Sequence, residues 1–319
     1  MLEDELDFGK WFGVYDGHGG VEASDHVVGN LYRSTLDCWK NAGRPRGTNQ
    51  LDALAAAITR GFKRTEAAFL EIATRRQLHA GSTAIVVLLH GRDPPASETT
   101  AAAPGPKELT LVTANLGDSR AVLCRNGLAV PLSEDHKPDR KDEKARIERA
   151  GGVVVNIGGI WRVCTAASST GIKLHYDDNL YLATSRAFGD RLLKGDHGDL
   201  VSCIPEIKCQ RGAWRAFARE HPSAPHAVWW LTALCVAAVE PNDLFFVLAC
   251  DGIWDVMSDQ EVVDVAAKAL VTDNAKEAAA AVVRTAYAAK HDNDQPASLV
   301  FDCRSQWPQH GRTVPPSVE

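Results

Sequence analysis

Short apolar runs and longer segments with helical spacing alternate along the chain. Runs of strand length are bounded by glycine, proline or polar turn residues. They predict strands over residues 11–15, 82–89, 109–114, 121–125, 128–131, 153–155, 180–184 and 244–250. Apolar spacing near 3.6 residues, or a charged or alanine-rich composition between turn signals, is typical of helices. It predicts helices over residues 21–36, 51–72, 142–150, 259–270 and 275–290.

Turn and cap residues refine these elements. Asn126-Gly127 predicts a tight hairpin between two strands, and Gly81 is expected to stop the second helix. Asp259 is predicted as the N-cap of the helix that it begins. Residues 91–107, rich in Pro, Ala, Thr and Glu, are interpreted as a disordered hairpin tip.

Two further stretches are expected to lack regular structure. Residues 156–179 are predicted to be irregular, and residues 294–319 are interpreted as an irregular C-terminal tail. The sequence therefore predicts a domain over residues 1–293, with atypical insertions near 91–108 and 211–238. The second insertion, Arg211–Ala238, is rich in tryptophan and shows little periodicity, and the sequence suggests no function for it.

Composition narrows the class of protein. The chain has 319 residues and a net charge of −6, so no basic field indicates a nucleic-acid partner. Eight cysteines without a CxxC pair argue against a zinc knuckle or a disulfide scaffold, and favour a reducing compartment. The acidic N-terminus lacks a signal core, and the longest uncharged apolar run, Ala227–Val239, is too short to span a bilayer. We expect a soluble, monomeric protein of the cytoplasm, the nucleus or both, without membrane association.

The candidate chemistry centres on Trp11–Gly20, which reads WFGVYDGHGG. A predicted strand runs directly into a glycine-rich turn that carries Asp16 and His18, and glycine allows the backbone to approach a ligand closely. Aspartate is a hard oxygen ligand suited to Mg²⁺ or Mn²⁺, and histidine is the usual proton donor near neutral pH. The simpler interpretation is that Asp16 and His18 only cap the following helix.

A second apolar strand also ends in Asp-Gly, at Asp251-Gly252, and Asp255 follows four residues later. Gly117-Asp118 forms a third acidic turn. Carboxylates that converge at strand ends repel one another, and a cation relieves that repulsion. Two such ions can activate a water for in-line attack on phosphorus, while His18 protonates the leaving oxygen. No Walker loop, GxSxG or GxGxxG motif is present, which disfavours NTP hydrolysis, acyl transfer and dinucleotide use.

These residues resemble the metal-dependent protein serine/threonine phosphatases of the type 2C (PPM) family. The resemblance covers roughly Trp11–Asn293 and depends on motifs in a specific order: FGVYDGHGG, GSTA, ANLGDSRAVL, DHKPD, RIERAGG, SRAFGD, IPEI and LACDGIWDVMSDQEVVD. It implies an α+β fold, a four-layer α-β-β-α sandwich of two mainly antiparallel sheets flanked by helices. It also implies a dinuclear Mn²⁺ or Mg²⁺ site at one end of the sandwich.

The resemblance also implies roles for individual residues. Asp16 looks like the bridging metal ligand, Gly17 would offer a backbone carbonyl to one ion, and His18 matches the proposed general acid. Asp251 matches a ligand of the second ion, and Asp118 with Asp251 could hold a weaker third ion. For Asp118, a turn-capping role with a bond to Arg120 is equally plausible. Asp255 would lie behind the ligands, and Asp190 and Arg186 of SRAFGD are interpreted as structural. Residues 156–179 fall where the family carries a flap over the substrate.

The chain departs from the family pattern at both ends. The family places a phosphate-binding arginine and a Glu-Asp pair before the first metal aspartate. Here no arginine precedes Arg33, and Glu3-Asp4 is the only such pair before Asp16. Asp292 is the candidate for the last metal ligand, although the expected β-branched run does not follow it and the sheet there could lack its last strand. These departures suggest a chain truncated at its N-terminus.

The resemblance implies hydrolysis of phosphoserine and phosphothreonine in phosphoprotein substrates by direct attack of a metal-activated water. Two alternatives stay open at this point. The missing arginine favours a non-catalytic phosphoprotein-binding or scaffold domain, and the same centre in another enzyme could hydrolyse small phosphoesters.

Overall fold

The computed structural model describes residues 8–43, 50–92, 108–166, 181–194, 200–208, 243–271, 274–289 and 298–302. Its helices are α1 (Glu22–Asn41), α2 (Gln50–Arg76), α3 (Lys141–Arg149), α4 (Asp251–Trp254), α5 (Asp259–Ala269) and α6 (Ala275–Ala289). Its first strands are β1 (Lys10–Val14), β2 (Gly17–His18), β3 (Gly81–Ser82), β4 (Ala84–Arg92), β5 (Glu108–Leu116), β6 (Arg120–Arg125) and β7 (Leu128–Pro131). The later strands are β8 (Gly152–Ile157), β9 (Ile160–Thr165), β10 (Phe188–Gly189), β11 (Glu206–Lys208), β12 (Asp243–Ala249) and β13 (Ser298–Asp302).

Two four-stranded antiparallel sheets form the centre of the molecule, in the orders β1-β4-β5-β11 and β13-β12-β6-β7. Alternate residues of a strand point to opposite faces of its sheet. In β4, Ile85 and Val87 therefore pack between the sheets, against Leu123 and Phe246, in one buried cluster. This apolar contact holds the two sheets face to face as a sandwich.

Helices cover both outer faces of the sandwich. Val86 and Leu88, the alternate residues of β4, pack against residues of α1 and α2. On the other side, Val247 of β12 packs against α5 and α6 in a separate buried cluster that includes Val262 and Val282. The order helix, sheet, sheet, helix confirms the predicted α+β sandwich. Strands β4 and β12 are covered on both faces, by the other sheet and by helices, and this explains their continuous apolar runs.

Strand register places several strand ends at the same edge of the sandwich. Val14 pairs with Ile85, so the end of β1 lies beside the start of β4. Ala84 pairs with Leu116, which brings the end of β5 to the same place. Ala249 pairs with Arg120, so the end of β12 lies beside the start of β6. The residues that follow β1, β5 and β12, which include three of the candidate aspartates, therefore converge.

Several local predictions are confirmed. The strands over 82–89 and 109–114 pair as β4 and β5, and Asn126-Gly127 joins β6 to β7 with both residues at positive φ. Positive φ at both central residues is the conformation that a two-residue hairpin turn requires. The disordered tip predicted over residues 91–107 lies outside the described residues from 93 onwards; residues 91–92 belong to β4.

Other local predictions are wrong. Helix α2 ends at Arg76, before Gly81, because Gln77 takes a positive φ of 53° and Leu78 donates its amide to the Ala73 carbonyl at 2.8 Å. The N-cap of α5 is Ser258 rather than Asp259, and Ser258 forms a reciprocal capping box with Glu261. Such a box satisfies two backbone amides at the start of a helix.

Three more predictions need correction. Residues 156–165 are not irregular, because β8 and β9 form a regular hairpin there. The strand predicted over residues 180–184 is reduced to one bridge between Leu182 and Val163. The tail predicted over residues 294–319 is wrong at residues 298–302, which form β13 and pair with β12, so this sheet does have a further strand. The insertion Arg211–Ala238 lies outside the described residues. In the described ranges, no helix has the combination of length and apolar character needed to cross a membrane.

Candidate metal centre

Asp16 and Asp251 directly follow strands of the two different sheets, and backbone hydrogen bonds hold both residues. Asp16 lies just beyond β1, and its carbonyl accepts a hydrogen bond of 2.8 Å from the amide of Thr83. Asp251 is the first residue of α4, directly after β12, and its carbonyl accepts the amide of Asp255 at 2.8 Å. Phe12 and Phe246 meet ring to ring across the sandwich, with centroids 5.6 Å apart. The backbone that carries each carboxylate is therefore held in place.

These two aspartates come together with a cysteine. One carboxylate oxygen of Asp16, one of Asp251 and the Sγ of Cys250 lie within 4.8 Å of one another. Hard carboxylate oxygens suit Mg²⁺ or Mn²⁺, whereas a thiolate suits softer ions. The aspartate pair thus fits the predicted cations, and Cys250, which is buried, is the one member of the group that such ions do not prefer.

The carboxyl of Asp251 is disfavoured in its charged form by burial and by neighbouring carboxylates. Burial, the charges of Asp118 and Asp16, and then that of Asp255 raise the pKa of the Asp251 carboxyl to about 7, against a smaller opposite effect of Lys137. A carboxyl whose charge is disfavoured by neighbouring carboxylates is stabilised in its ionised form by a cation. The arrangement has the charge distribution of a cation site.

Asp118 lies in the turn between β5 and β6 and is buried. Its carboxylate accepts a hydrogen bond of 2.6 Å from Lys137 Nζ, so the alternative prediction of a bond to Arg120 is wrong. Arg120 instead binds Asp135, at 2.9 and 2.8 Å, and Asp259, at 2.6 Å. Asp118 is therefore paired with the ammonium of Lys137, and its negative charge still raises the pKa of Asp251.

Lys137 is the cationic side chain that faces these carboxylates. Burial lowers the pKa of its ammonium. The charges of Asp118, and then of Asp251 and Asp255, raise this pKa by more, so it lies above its ordinary value. Lys137 thus stays charged near neutral pH. Its ammonium lies where it neutralises part of the negative charge of the centre.

His18 faces a buried carboxylate that the sequence did not pair with it. Its Nε2 lies 2.8 and 2.9 Å from the two carboxylate oxygens of Asp190. Burial lowers the pKa of His18, but the charge and hydrogen bond of Asp190, and then the charges of Asp118 and Asp16, raise it more, so the pKa lies above its usual value. Asp190 is thus neither a metal ligand of the described group nor a remote structural residue.

Two local features bring His18 and Asp190 together. Asp190 has a φ of 50° and a ψ of 44°, a left-handed conformation that is uncommon for a residue with a side chain. Gly81 lies between the two side chains, and a Cβ at Gly81 would clash with both His18 Nε2 and the Asp190 carboxylate. The absence of a side chain at Gly81 is what leaves room for their contact.

A buried ion pair fixes the backbone that carries Asp190. Glu66 accepts the amide of Gly189 at 2.9 Å, and Lys194 donates to the carbonyl of Ala187 at 2.7 Å and to the Glu66 carboxylate. Burial raises the pKa of Glu66, and the charge and hydrogen bond of Lys194 oppose the shift without cancelling it. The pair holds residues 187–189 from two sides.

Arg186 has the structural role that the sequence favoured. It donates to Glu143 at 2.6 Å and to the carbonyl of Ile204 at 2.9 Å. Glu143, which is buried, also accepts bonds from Ser185 at 2.6 Å and from Arg146 at 3.0 Å. Arg186, four residues before Asp190, is therefore held by an ion pair with Glu143.

The remaining predicted site residues fall in different places. Gly17 lies in β2 beside His18, and Asp255 is exposed beyond α4. Asp292 and the Glu3-Asp4 pair lie outside the described residues, as do residues 167–180 of the expected flap. Sequence analysis missed Cys250 and Lys137; Cys250 could have been noticed as the immediate neighbour of Asp251, and Lys137 as part of the DHKPD motif.

Comparisons with known proteins identify a family for the chain. The family model described as Protein phosphatase 2C matches residues 4–294. "Probable protein phosphatase 2C 59" of Arabidopsis thaliana is 34% identical over 252 residues, which are 79% of this chain and 58% of that protein. "Probable protein phosphatase 2C 45" of Oryza sativa subsp. japonica is 34% identical over 253 residues, 79% of this chain and 64% of that protein. The chain thus spans about three fifths of the length of these curated relatives.

Solved structures share the fold. A serine-threonine phosphatase 2C from Toxoplasma gondii superposes with a TM-score of 0.64 and 23% identity, covering 92% of this chain and 84% of that one. A C. elegans sex determining protein gives a TM-score of 0.63 and 20% identity, covering 92% of this chain and 56% of that one. At this level of identity the similarity concerns the architecture alone.

Proposed function

The chain belongs to the protein phosphatase 2C family, and from that premise we propose that it hydrolyses phosphoserine and phosphothreonine in phosphoproteins. The observation that carries the proposal is the convergence of Asp16 and Asp251 at one edge of the sandwich. Family membership alone would leave open whether this chain retains a working centre. The converged carboxylates, with His18 beside them, support one.

Asp16 and Asp251 are the residues that would hold the cations, with the carbonyl of Gly17 as a further oxygen ligand. Asp118 lies beside them and is paired with Lys137. A pair of Mn²⁺ or Mg²⁺ ions, when bound, supplies an activated water and neutralises phosphate charge. Repulsion between the carboxylates favours their binding. Cys250 is a neighbour of this site rather than a ligand, because its sulfur is too soft for these ions.

His18 would donate the proton that the leaving oxygen needs. In the overall step, an oxygen–phosphorus bond forms from water and the bond between phosphorus and the serine or threonine oxygen breaks. His18 gives that oxygen a proton and is restored by a proton that the water loses, so the products are the free hydroxyl and inorganic phosphate. The His18 side chain is 30% exposed, which gives substrate access to the ring, and its raised pKa keeps a fraction protonated near neutral pH.

The test is turnover of a phosphothreonine peptide by the purified chain with added Mn²⁺ and with EDTA. We expect activity with Mn²⁺ only, and a loss of about 100-fold or more in Asp16→Asn, because the centre supplies several kcal/mol of transition-state stabilisation. Asp25→Asn, an exposed aspartate in the first turn of α1, is the matched control and should keep wild-type activity. Full activity in EDTA would contradict the proposal.

The alternative function is a non-catalytic domain that binds phosphoproteins. Peptide binding without turnover in Mn²⁺ would support it. Faster turnover of small phosphoesters than of phosphopeptides would instead favour a general phosphoester hydrolase. We also propose that the protein acts as a monomer. We further propose that it lies in the cytoplasm, the nucleus or both, since its cysteines without a CxxC pair favour a reducing compartment.

A further inference from the structure

We propose that Asp190 is a positioning residue that binds Nε2 of His18 and thereby makes Nδ1 the nitrogen that carries the proton to the leaving oxygen. This inference rests on the proposed function, in which His18 is the proton donor. It adds the partner that fixes the ring and the atom that acts.

The contact itself defines the orientation of the ring. His18 Nε2 lies 2.8 and 2.9 Å from the two oxygens of Asp190, and the Asp190 side chain is only 4% exposed. A carboxylate accepts hydrogen bonds and cannot donate them when ionised. Nε2 must therefore carry a hydrogen, and in the neutral ring Nδ1 is the basic nitrogen.

The same contact stabilises the protonated ring. When Nδ1 also gains a proton, the imidazolium has a buried anion directly on its other side. Such a pair favours the cation and holds its remaining N–H in a fixed direction, as a buried aspartate does for the histidine of a catalytic triad. The proton on Nδ1 is then available to a group on the exposed side of the ring.

The surrounding backbone shows that this contact is built at a cost. Asp190 takes a left-handed conformation that is unfavourable for a residue with a side chain. A Cβ at Gly81 would clash with both partners, and the amide of Asp190 donates to the carbonyl of Ala80 at 3.2 Å. The segment with Ala80 and Gly81 and the segment with Asp190 thus both restrict the Asp190 carboxylate to one position.

A second layer holds this placement from behind. The Glu66 carboxylate accepts the amide of Gly189, the residue before Asp190, and Lys194 ties Glu66 to the carbonyl of Ala187. Both side chains are nearly fully buried, at 6% and 5% exposure. Side chains locked by such contacts keep a functional group within a narrow range of positions. The ion pair therefore gives Asp190 little freedom to leave His18.

The first test measures the tautomer of His18 directly in the 319-residue chain without added metal. Two-bond ¹H–¹⁵N correlation spectra of ¹⁵N-histidine protein distinguish the two tautomers, and the His18→Gln spectrum assigns the signal. We expect a single neutral tautomer with the hydrogen on Nε2 in the wild-type protein, and a mixture in Asp190→Ala. A wild-type ring with its hydrogen on Nδ1, or an unchanged tautomer in Asp190→Ala, would overturn the proposal.

The second test separates positioning from a general structural defect. With Mn²⁺, Asp190→Ala should lose about 100-fold in kcat on phenyl phosphate, whose leaving group needs a proton, because general acid catalysis contributes at least that much. On 2,4-dinitrophenyl phosphate, whose leaving group departs without one, the loss should be small. Asp25→Asn should match wild type on both substrates. Equal losses on the two substrates would contradict the role.

The two tests also separate this inference from the proposed function. If the wild-type chain turns over neither the phosphothreonine peptide nor these aryl phosphates, the proposed function fails while the tautomer spectra still decide the contact between Asp190 and His18. If the wild-type chain is active and the tautomer is unaffected by Asp190→Ala, the proposed function stands and this inference fails.

Discussion

The buried Glu143 network allows a stability prediction with a defined pH dependence. Glu143 is 1% exposed and accepts hydrogen bonds from Arg186 at 2.6 Å, Ser185 at 2.6 Å and Arg146 at 3.0 Å. Burial raises the pKa of Glu143, but the bonds from Arg186, Ser185 and Arg146 lower it more, to about 2 from an ordinary value of 4.5. The ionised carboxylate is thus favoured in the folded protein.

The size of the effect follows from this shift in pKa. Each unit is equivalent to 1.36 kcal/mol, so ionised Glu143 contributes about 3 kcal/mol to the free energy of unfolding at neutral pH. Because the folded-state pKa is the lower one, this stability is fully present above pH 4.5 and is lost as the pH falls through 2. At pH 3.5 about 2 kcal/mol should be left.

The perturbation is Glu143→Gln, which keeps the shape of the side chain and removes its charge. Urea unfolding should show a loss of about 3 kcal/mol at pH 7 relative to wild type, and a loss smaller by about 1 kcal/mol at pH 3.5. Glu148→Gln is the matched control, since Glu148 lies on the same helix, is 55% exposed and pairs with Lys144 at 3.9 Å. It should lose less than about 1 kcal/mol. A loss in Glu143→Gln that does not exceed the control, or that does not shrink in acid, would refute the reasoning.

Two further predictions concern the ammonium beside the centre and the cap of α5. Lys137→Met removes a cation that pairs with Asp118 at 2.6 Å and acts on Asp251, so Mn²⁺ should bind about tenfold more tightly by calorimetry; unchanged or weaker binding would argue against this. Ser258→Ala removes the capping box with Glu261 and should lower the free energy of urea unfolding by about 1 kcal/mol; an unchanged unfolding midpoint would show that the cap contributes nothing.

The strands of the sandwich could be predicted because their pattern is local. In β4 and β12, continuous apolar runs between turn residues reflect burial on both faces, between the second sheet and the helices. Asp16 and Asp251 could be predicted to lie at strand ends because each Asp-Gly pair follows such a strand directly. Their proximity, however, depends on register, which the sequence pattern does not fix.

The helix boundaries that failed each had a specific cause. Helix α2 ends at Arg76, and the next residue, Gln77, takes the left-handed conformation that glycine usually adopts after a helix. Gly81 therefore predicts an end that lies too late. At α5 the sequence does contain the signal, because Ser258 and Glu261 have the spacing of a capping box. The N-cap predicted at Asp259 is wrong because the capping-box spacing of Ser258 and Glu261 was not considered.

The contacts around the site could not be predicted because they join residues distant in sequence. His18 and Asp190 are separated by 172 positions, and Asp118 and Lys137 by 19. No local period links such residues, and their motifs alone did not indicate which charge pairs with which. Strand β13 was missed because a charged, proline-containing stretch precedes it and its own apolar run is only a few residues long.

The central claim is that Asp16 and Asp251 share one cation centre, and calorimetric titration with Mn²⁺ tests it most directly. The wild-type chain should bind Mn²⁺, and Asp16→Asn and Asp251→Asn should each weaken binding by at least about tenfold, because each removes a charged oxygen from the same site. Their effects should not add in the double variant, since residues that share a partner are coupled. Wild-type affinity in either single variant would contradict the account.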